Sequence, residues 1–222
     1  MNGCEQLHRL LESKPLIRYP YAPDTLPDNA VYFMYESGQT WGHGGTQPRI
    51  VQVGTQRNGN FRKRLAEHYL PDDSRLQLTP TSLAPKDRSI LRKMIGRAIL
   101  SRDSNPYLSV WNLDFTTRKT RDLHGTKRDL EREAEIEREV SDVIQRTFSF
   151  RYVEIEDENV RMGSTALTHK LIATVASCES CQPTHDWLGL HSPVERIREF
   201  GLWQVHHIDG KVAEPEEIDG LA

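Results

Sequence analysis

Arg64 and His68 lie one helical turn apart in the segment FRKRLAEHYL, where Phe61, Leu65 and Tyr69 recur every four residues as on an amphipathic helix. Side chains at this spacing share a helix face, so a guanidinium and an imidazole can converge on one phosphate. Arg62 and Lys63 add positive charge beside them. Farther along, Lys86, Arg88, Arg92, Lys93, Arg97 and Arg102 stand against Asp87 alone, a local excess suited to a phosphate backbone whatever the net charge of −3. Arg62, Lys63, Arg92 and Lys93 are therefore the expected DNA-binding residues. A different chemistry is open at Cys178 and Cys181, whose spacing, with His185 and His191 following, is that of half a zinc site. With no second cysteine pair, the alternative is two cysteines in a helix-ending loop. No βαβ context supports a redox role.

The scaffold for these groups starts with Ala30 to Glu36 (AVYFMYE) and Arg49 to Val53 (RIVQV), two runs of β-formers that read as a hairpin. Their connection, SGQTWGHGGTQP, is a long glycine-rich loop. Pro71 is the expected end of the helix that follows. From Lys86 to Leu100, Ile90, Leu91, Met94, Ile95, Ala98 and Ile99 predict one helix with its basic residues on the outer face. A short strand over Tyr107 to Phe115 and a basic loop precede a helix over Asp129 to Phe148, whose mixed charges read as a solvated face. Phe150 to Ile155 alternates as a strand, and Ser164 to Ser177 reads as a helix starting at Gly163 and Ser164. The pattern is α/β: a small mixed or antiparallel sheet flanked by helices, with inserted helices and a C-terminal cap. We expect a single domain over 1–222, with a core at about 28–177 and a cap over 178–222.

Several of these segments, in order, resemble the GIY-YIG nuclease superfamily. Ala30-Val31-Tyr32, Phe33-Met34-Tyr35, Gln52-Val53-Gly54, and Phe61 to Leu65 with His68 follow that family's strand, loop, strand with glycine, and arginine-bearing helix. RKMIGRAIL and DWLGLHSPVERIREFGLWQV are similar to stretches of its restriction-endonuclease-like branch. The resemblance implies a metal-dependent DNA endonuclease using Mg2+, with Tyr32 positioning or deprotonating the attacking water and Arg64 steadying the phosphate. His68 matches a position where the family carries His or Tyr. Phosphodiester hydrolysis calls for such a set, because a nucleophile must be activated and transition-state charge offset.

Two positions depart from the family pattern. Gln52 replaces its second tyrosine, and Thr168 replaces the metal-binding glutamate expected early in a late helix. A neutral hydroxyl alone is a poor ligand for a hard cation. A nuclease relic, an engineered change, and a metal held instead by Glu154 or Glu156 all fit this departure. The alternatives to an endonuclease are a catalytically silent DNA-binding protein and a zinc-supported interaction module. Duplex cutting at a palindrome would require two sites and hence a homodimer. No run approaches the ~18 apolar residues of a membrane helix. The three cysteines cannot form a disulfide framework and the N-terminus lacks a secretory pattern, so a cytoplasmic protein is expected.

Overall fold

Every residue from Ala30 to Glu36 is buried, not every second one, the pattern of a strand covered on both faces. In the computed structural model, which describes residues 2–222 apart from Gly45, Pro71, Ser164 and Thr165, this run opens strand β2 (Ala30–Thr40). β2 pairs antiparallel with β3 (Pro48–Thr55) and with β4 (Phe148–Glu154), and β1 (Ile17–Arg18) completes the order β1-β4-β2-β3. The expected hairpin is present and the fold is α/β. Met34 opposes Gln52 while Tyr35 opposes Ile50, so Val51 is an extra residue on β3, a bulge.

The helices are α1 (Gly3–Glu12), α2 (Phe61–Tyr69), α3 (Pro85–Arg88), α4 (Ile90–Arg102), α5 (Leu108–Trp111), α6 (Arg118–His124), α7 (Leu130–Thr147), α8 (Glu158–Met162), α9 (Leu167–Ala176), α10 (Glu195–Phe200) and α11 (Pro215–Asp219). Tyr32, Met34 and Val51 face a core built with α2, α4 and α7. Val31, Phe33, Tyr35 and Ile50 face the other way, into Leu7 of α1, Leu171 of α9 and Ile218 of α11. The C-terminal cap closes the open edge of β3. Trp203 N–H donates to the Val51 carbonyl at 2.8 Å, and the Gln204 side chain accepts the Val53 N–H at 2.9 Å. Beneath it, the indole N–H groups of Trp187 and Trp203 both donate to one carboxylate oxygen of Glu36 at 2.8 Å. Among the described residues, no helix is long and apolar enough to cross a membrane.

Three expectations are corrected. The helix over 86–100 is broken into α3 and α4 at Ser89, whose φ of −131° and ψ of 109° are extended. The Ser89 hydroxyl accepts the Arg92 N–H, so this residue caps a new helix inside the expected one. The segment 107–115 contains the short helix α5 and no strand. Trp111 packs over Gly96, where an added Cβ would come within 2.3 Å of the ring, and its indole donates to the Lys93 carbonyl at 3.1 Å. The charges of α7 are only partly solvated, since Glu133 and Glu137 are buried against cations. The basic loop before α7 contains α6, capped by Thr117. The expected end at Pro71 and start at Ser164 lie outside the described residues, but the remaining bounds of α2 and α9 sit close to the expected ones.

Candidate active site

Tyr32 sits in β2 directly opposite Gly54 of β3 and Tyr152 of β4. A Cβ at position 54 would fall 2.4 Å from the Tyr32 hydroxyl, so only glycine lets the phenol lie across the neighbouring strand. There the Tyr32 hydroxyl meets His68 Nε2 of α2 at 2.8 Å, and His68 Nδ1 meets the Ser89 hydroxyl at 2.7 Å. The hinge that breaks the predicted helix thus places the third member of a Tyr32, His68, Ser89 chain. Ser89 was not singled out from the sequence, although a serine just before an apolar helical run is a recognisable cap signal.

Both Tyr32 and His68 are buried. Burial pushes the Tyr32 phenol up to about 12, with the nearby Arg64 cation pulling the other way. Burial likewise holds His68 well below its ordinary 6.5, helped by the positive charges of Arg64 and Arg92. Both side chains are neutral near pH 7, which leaves one shared proton between oxygen and nitrogen.

Arg64, His68 and Tyr32 line one cleft of about 600 Å³, together with Gln52, Arg88 and Lys93. Arg64 is fixed by donation to the Arg88 carbonyl at 2.7 Å and the Gln56 side chain at 3.0 Å, with Glu67 at 3.3 Å. Lys93 is half-buried; burial and then its neighbours Lys86 and Arg97 lower its pKa, so an incoming anion relieves it. Gln52 is buried at the cleft wall, and its side-chain oxygen has no hydrogen-bond partner among the described residues. His206 and His207 also line the cleft, and His207 stacks on His169 with ring centroids 3.5 Å apart.

Two of the four expected DNA-binding residues are already committed elsewhere. Arg92 has a fully buried side chain that grips Glu137 at 2.7 Å and donates to the His68 carbonyl at 3.0 Å, so it braces the site from behind and meets no solvent. Arg62 donates to the Leu26 carbonyl at 2.6 Å and pairs with Asp28 at 3.5 Å. Lys63 is exposed and, with Arg75 and Arg88, lines a second cleft of about 320 Å³.

Thr168 does not line the main cleft. It is buried in the first turn of α9, its hydroxyl has no partner among the described residues, and Ile172 one turn on does reach the cleft wall. Glu154 and Glu156 are exposed outside the cleft, and Glu156 accepts a hydrogen bond from Asn29 at 2.8 Å. The acid on the cleft wall, Asp87, is taken by Lys86 at 3.2 Å and by the Ala84 N–H at 3.1 Å. The residues present do not fit a carboxylate-bound Mg2+ site.

Cys178 and Cys181 approach neither His185 nor His191, which are exposed on the cap. They converge on Cys4 and His43, and the four ligand atoms lie within 4.8 Å of one another, a group able to hold a metal ion. None of these four residues lines the cleft.

No curated protein and no solved structure matches the chain. The family model described as the GIY-YIG domain matches residues 4–222. That span takes in all four strands, the inserted helices and the cap, and the chain belongs to the GIY-YIG nuclease superfamily.

Proposed function

We propose that this protein is a DNA endonuclease of restriction or defence type, working through Tyr32, Arg64 and His68, whose cutting is slow or absent because Thr168 stands in place of a carboxylate. The observation that carries this reading is the 2.8 Å contact between Tyr32 and His68 at the wall of a cation-rimmed cleft. A neutral phenol is a weak base, but one whose own proton can pass to a neutral imidazole can take a proton from an attacking water. Arg64 offsets the charge that grows on the phosphate, and Lys93 and Arg88 hold the flanking backbone. Lys63 and Arg75 in the adjoining cleft extend that track. Cutting both strands would need a second copy of the chain.

GIY-YIG nucleases are metal-dependent, and the donor set of this cleft lacks the carboxylate such an ion needs. A second reading, a DNA-binding protein that no longer cuts, rests on the same observation, with Asp87 already neutralised by Lys86.

Plasmid nicking in Mg2+ separates the two. The unmodified chain is expected to nick slowly or not at all, and Thr168→Glu to gain at least about tenfold, equivalent to ~1.4 kcal/mol of transition-state stabilisation. Adding Tyr32→Phe to that variant should remove the gain. Robust nicking by the unmodified chain, or a gain that survives Tyr32→Phe, would overturn the proposal, and salt-dependent DNA binding by the unmodified chain with no nicking in Mg2+ or Mn2+ even at enzyme excess would establish the silent binder.

A further inference from the structure

We propose that Cys4, His43, Cys178 and Cys181 form a closed structural zinc site, remote from the cleft, that fastens the N-terminal helix and the start of the C-terminal cap to the β2–β3 loop. The three elements are distant in sequence: Cys4 is in the first turn of α1, His43 in the loop between β2 and β3, and the cysteine pair just after α9. Their ligand atoms nevertheless gather around one point. Cys4 Sγ and Cys181 Sγ are 3.8 Å apart, Cys178 Sγ and His43 Nε2 are 3.2 Å apart, and all four atoms lie within 4.8 Å. A tetrahedral zinc with three Zn–S bonds of ~2.3 Å and one Zn–N bond of ~2.0 Å has edges of roughly 3.5 to 3.8 Å, within a few tenths of an ångström of these two contacts. A disulfide would need sulfurs at ~2.05 Å and would leave the histidine without a role.

Three thiolates and a neutral imidazole around Zn2+ leave the complex with a single negative charge. The approach of the two loops depends on Gly42, where a Cβ would lie 1.6 Å from the Ser180 carbonyl oxygen. Trp41 packs on the cysteines, its ring also meeting His43 at 5.5 Å, and shields the cluster from water.

His8 is close but is not a ligand. Its Nε2 accepts the Ile50 N–H at 3.1 Å, which leaves the proton on Nδ1 for the Cys4 carbonyl at 2.8 Å. With both nitrogens used, His8 ties α1 to β3 and leaves a Cys3His set. Three thiolates favour zinc over magnesium, and four protein ligands leave no open position for catalysis.

Elemental analysis of the full chain, purified under reducing conditions without chelator, should find about one zinc per molecule. Replacement by Co2+ should give the intense red-region bands and near-ultraviolet thiolate charge transfer of a tetrahedral, sulfur-rich site. His43→Ala and Cys178→Ser should each cut bound zinc at least about tenfold, with no loss for His185→Ala or His191→Ala. Cobalt binding by the unmodified chain keeps the test decisive even if a cysteine variant fails to fold. A chain that purifies without zinc and gives no tetrahedral cobalt spectrum would overturn the site, as would zinc lost in His185→Ala or His191→Ala but kept in His43→Ala.

Discussion

Tyr32 and His68 can share a proton because neither can easily carry a charge where it sits, and that has a price in acid. A histidine held below its ordinary 6.5 by burial, and further by Arg64 and Arg92, stays neutral in the folded chain while the unfolded chain takes up a proton. Its contribution is therefore present above the unfolded value and falls as pH drops toward the folded one, by about 1.4 kcal/mol for each pH unit. His8, also buried and pushed down to about 4, adds a similar acid penalty. Urea midpoints taken at about pH 7 and about pH 5 should show this fall, with a smaller fall in His68→Gln. An unchanged pH dependence in that variant would mean His68 is not the excluded imidazole described above. Tyr32 behaves oppositely in sign: its raised pKa matters only above about 10, where the unfolded phenol begins to ionise first.

Within α3 and α4 the basic side chains divide by direction. Arg92 points inward to Glu137 and Ser141, while Arg88 is exposed at the junction of the two clefts. Arg92→Ala leaves a buried carboxylate without its partner and should cost ~3 to 5 kcal/mol of stability. Arg88→Ala should change stability by less than ~0.5 kcal/mol, yet flatten the dependence of log Kd on log salt by about one phosphate contact. Thermal melts and binding isotherms at several salt concentrations check both, and a reversed pattern would show that the cations of this segment have been assigned to the wrong faces. The apolar spacing of 90–99 was readable in the sequence, because burial of Leu91, Ile95 and Ile99 imposes it. The direction of Arg92 was not, since its partner is 45 residues away on α7 and a charge reads as solvated until that partner is known. Likewise the run 107–115 carries β-forming residues, but the packing of Trp111 on Gly96 overrides their propensity.

At the scale of the molecule, the hairpin, α2, α7 and β4 follow from local patterns and were legible, as was the order of Tyr32, Gly54, Arg64 and His68 along the chain. What local patterns could not supply is closure between distant segments. Cys4 and His43 lie far from the cysteine pair they join, whereas His185 and His191 are close in sequence and remain apart from it in space. The cap shows the same principle, because Trp203 and Gln204 seal the edge of β3 from far downstream, Gln204 lying 151 residues beyond Val53. Its anchor, the Glu36 carboxylate shared by Trp187 and Trp203, has an optical consequence. Both indoles are buried, with ring centroids 5.0 Å apart, so their emission should be blue-shifted and should move to the red when the cap lifts from the sheet. With Trp41 and Trp111, which are buried away from the cap anchor, replaced by Phe, that shift in Glu36→Ala should occur at lower urea than the loss of far-ultraviolet helix signal, and coincident transitions would mean that cap and sheet unfold together. The chain thus contains a built-in fluorescent gauge of its own edge closure, readable without a label and independent of whether the cleft cuts DNA.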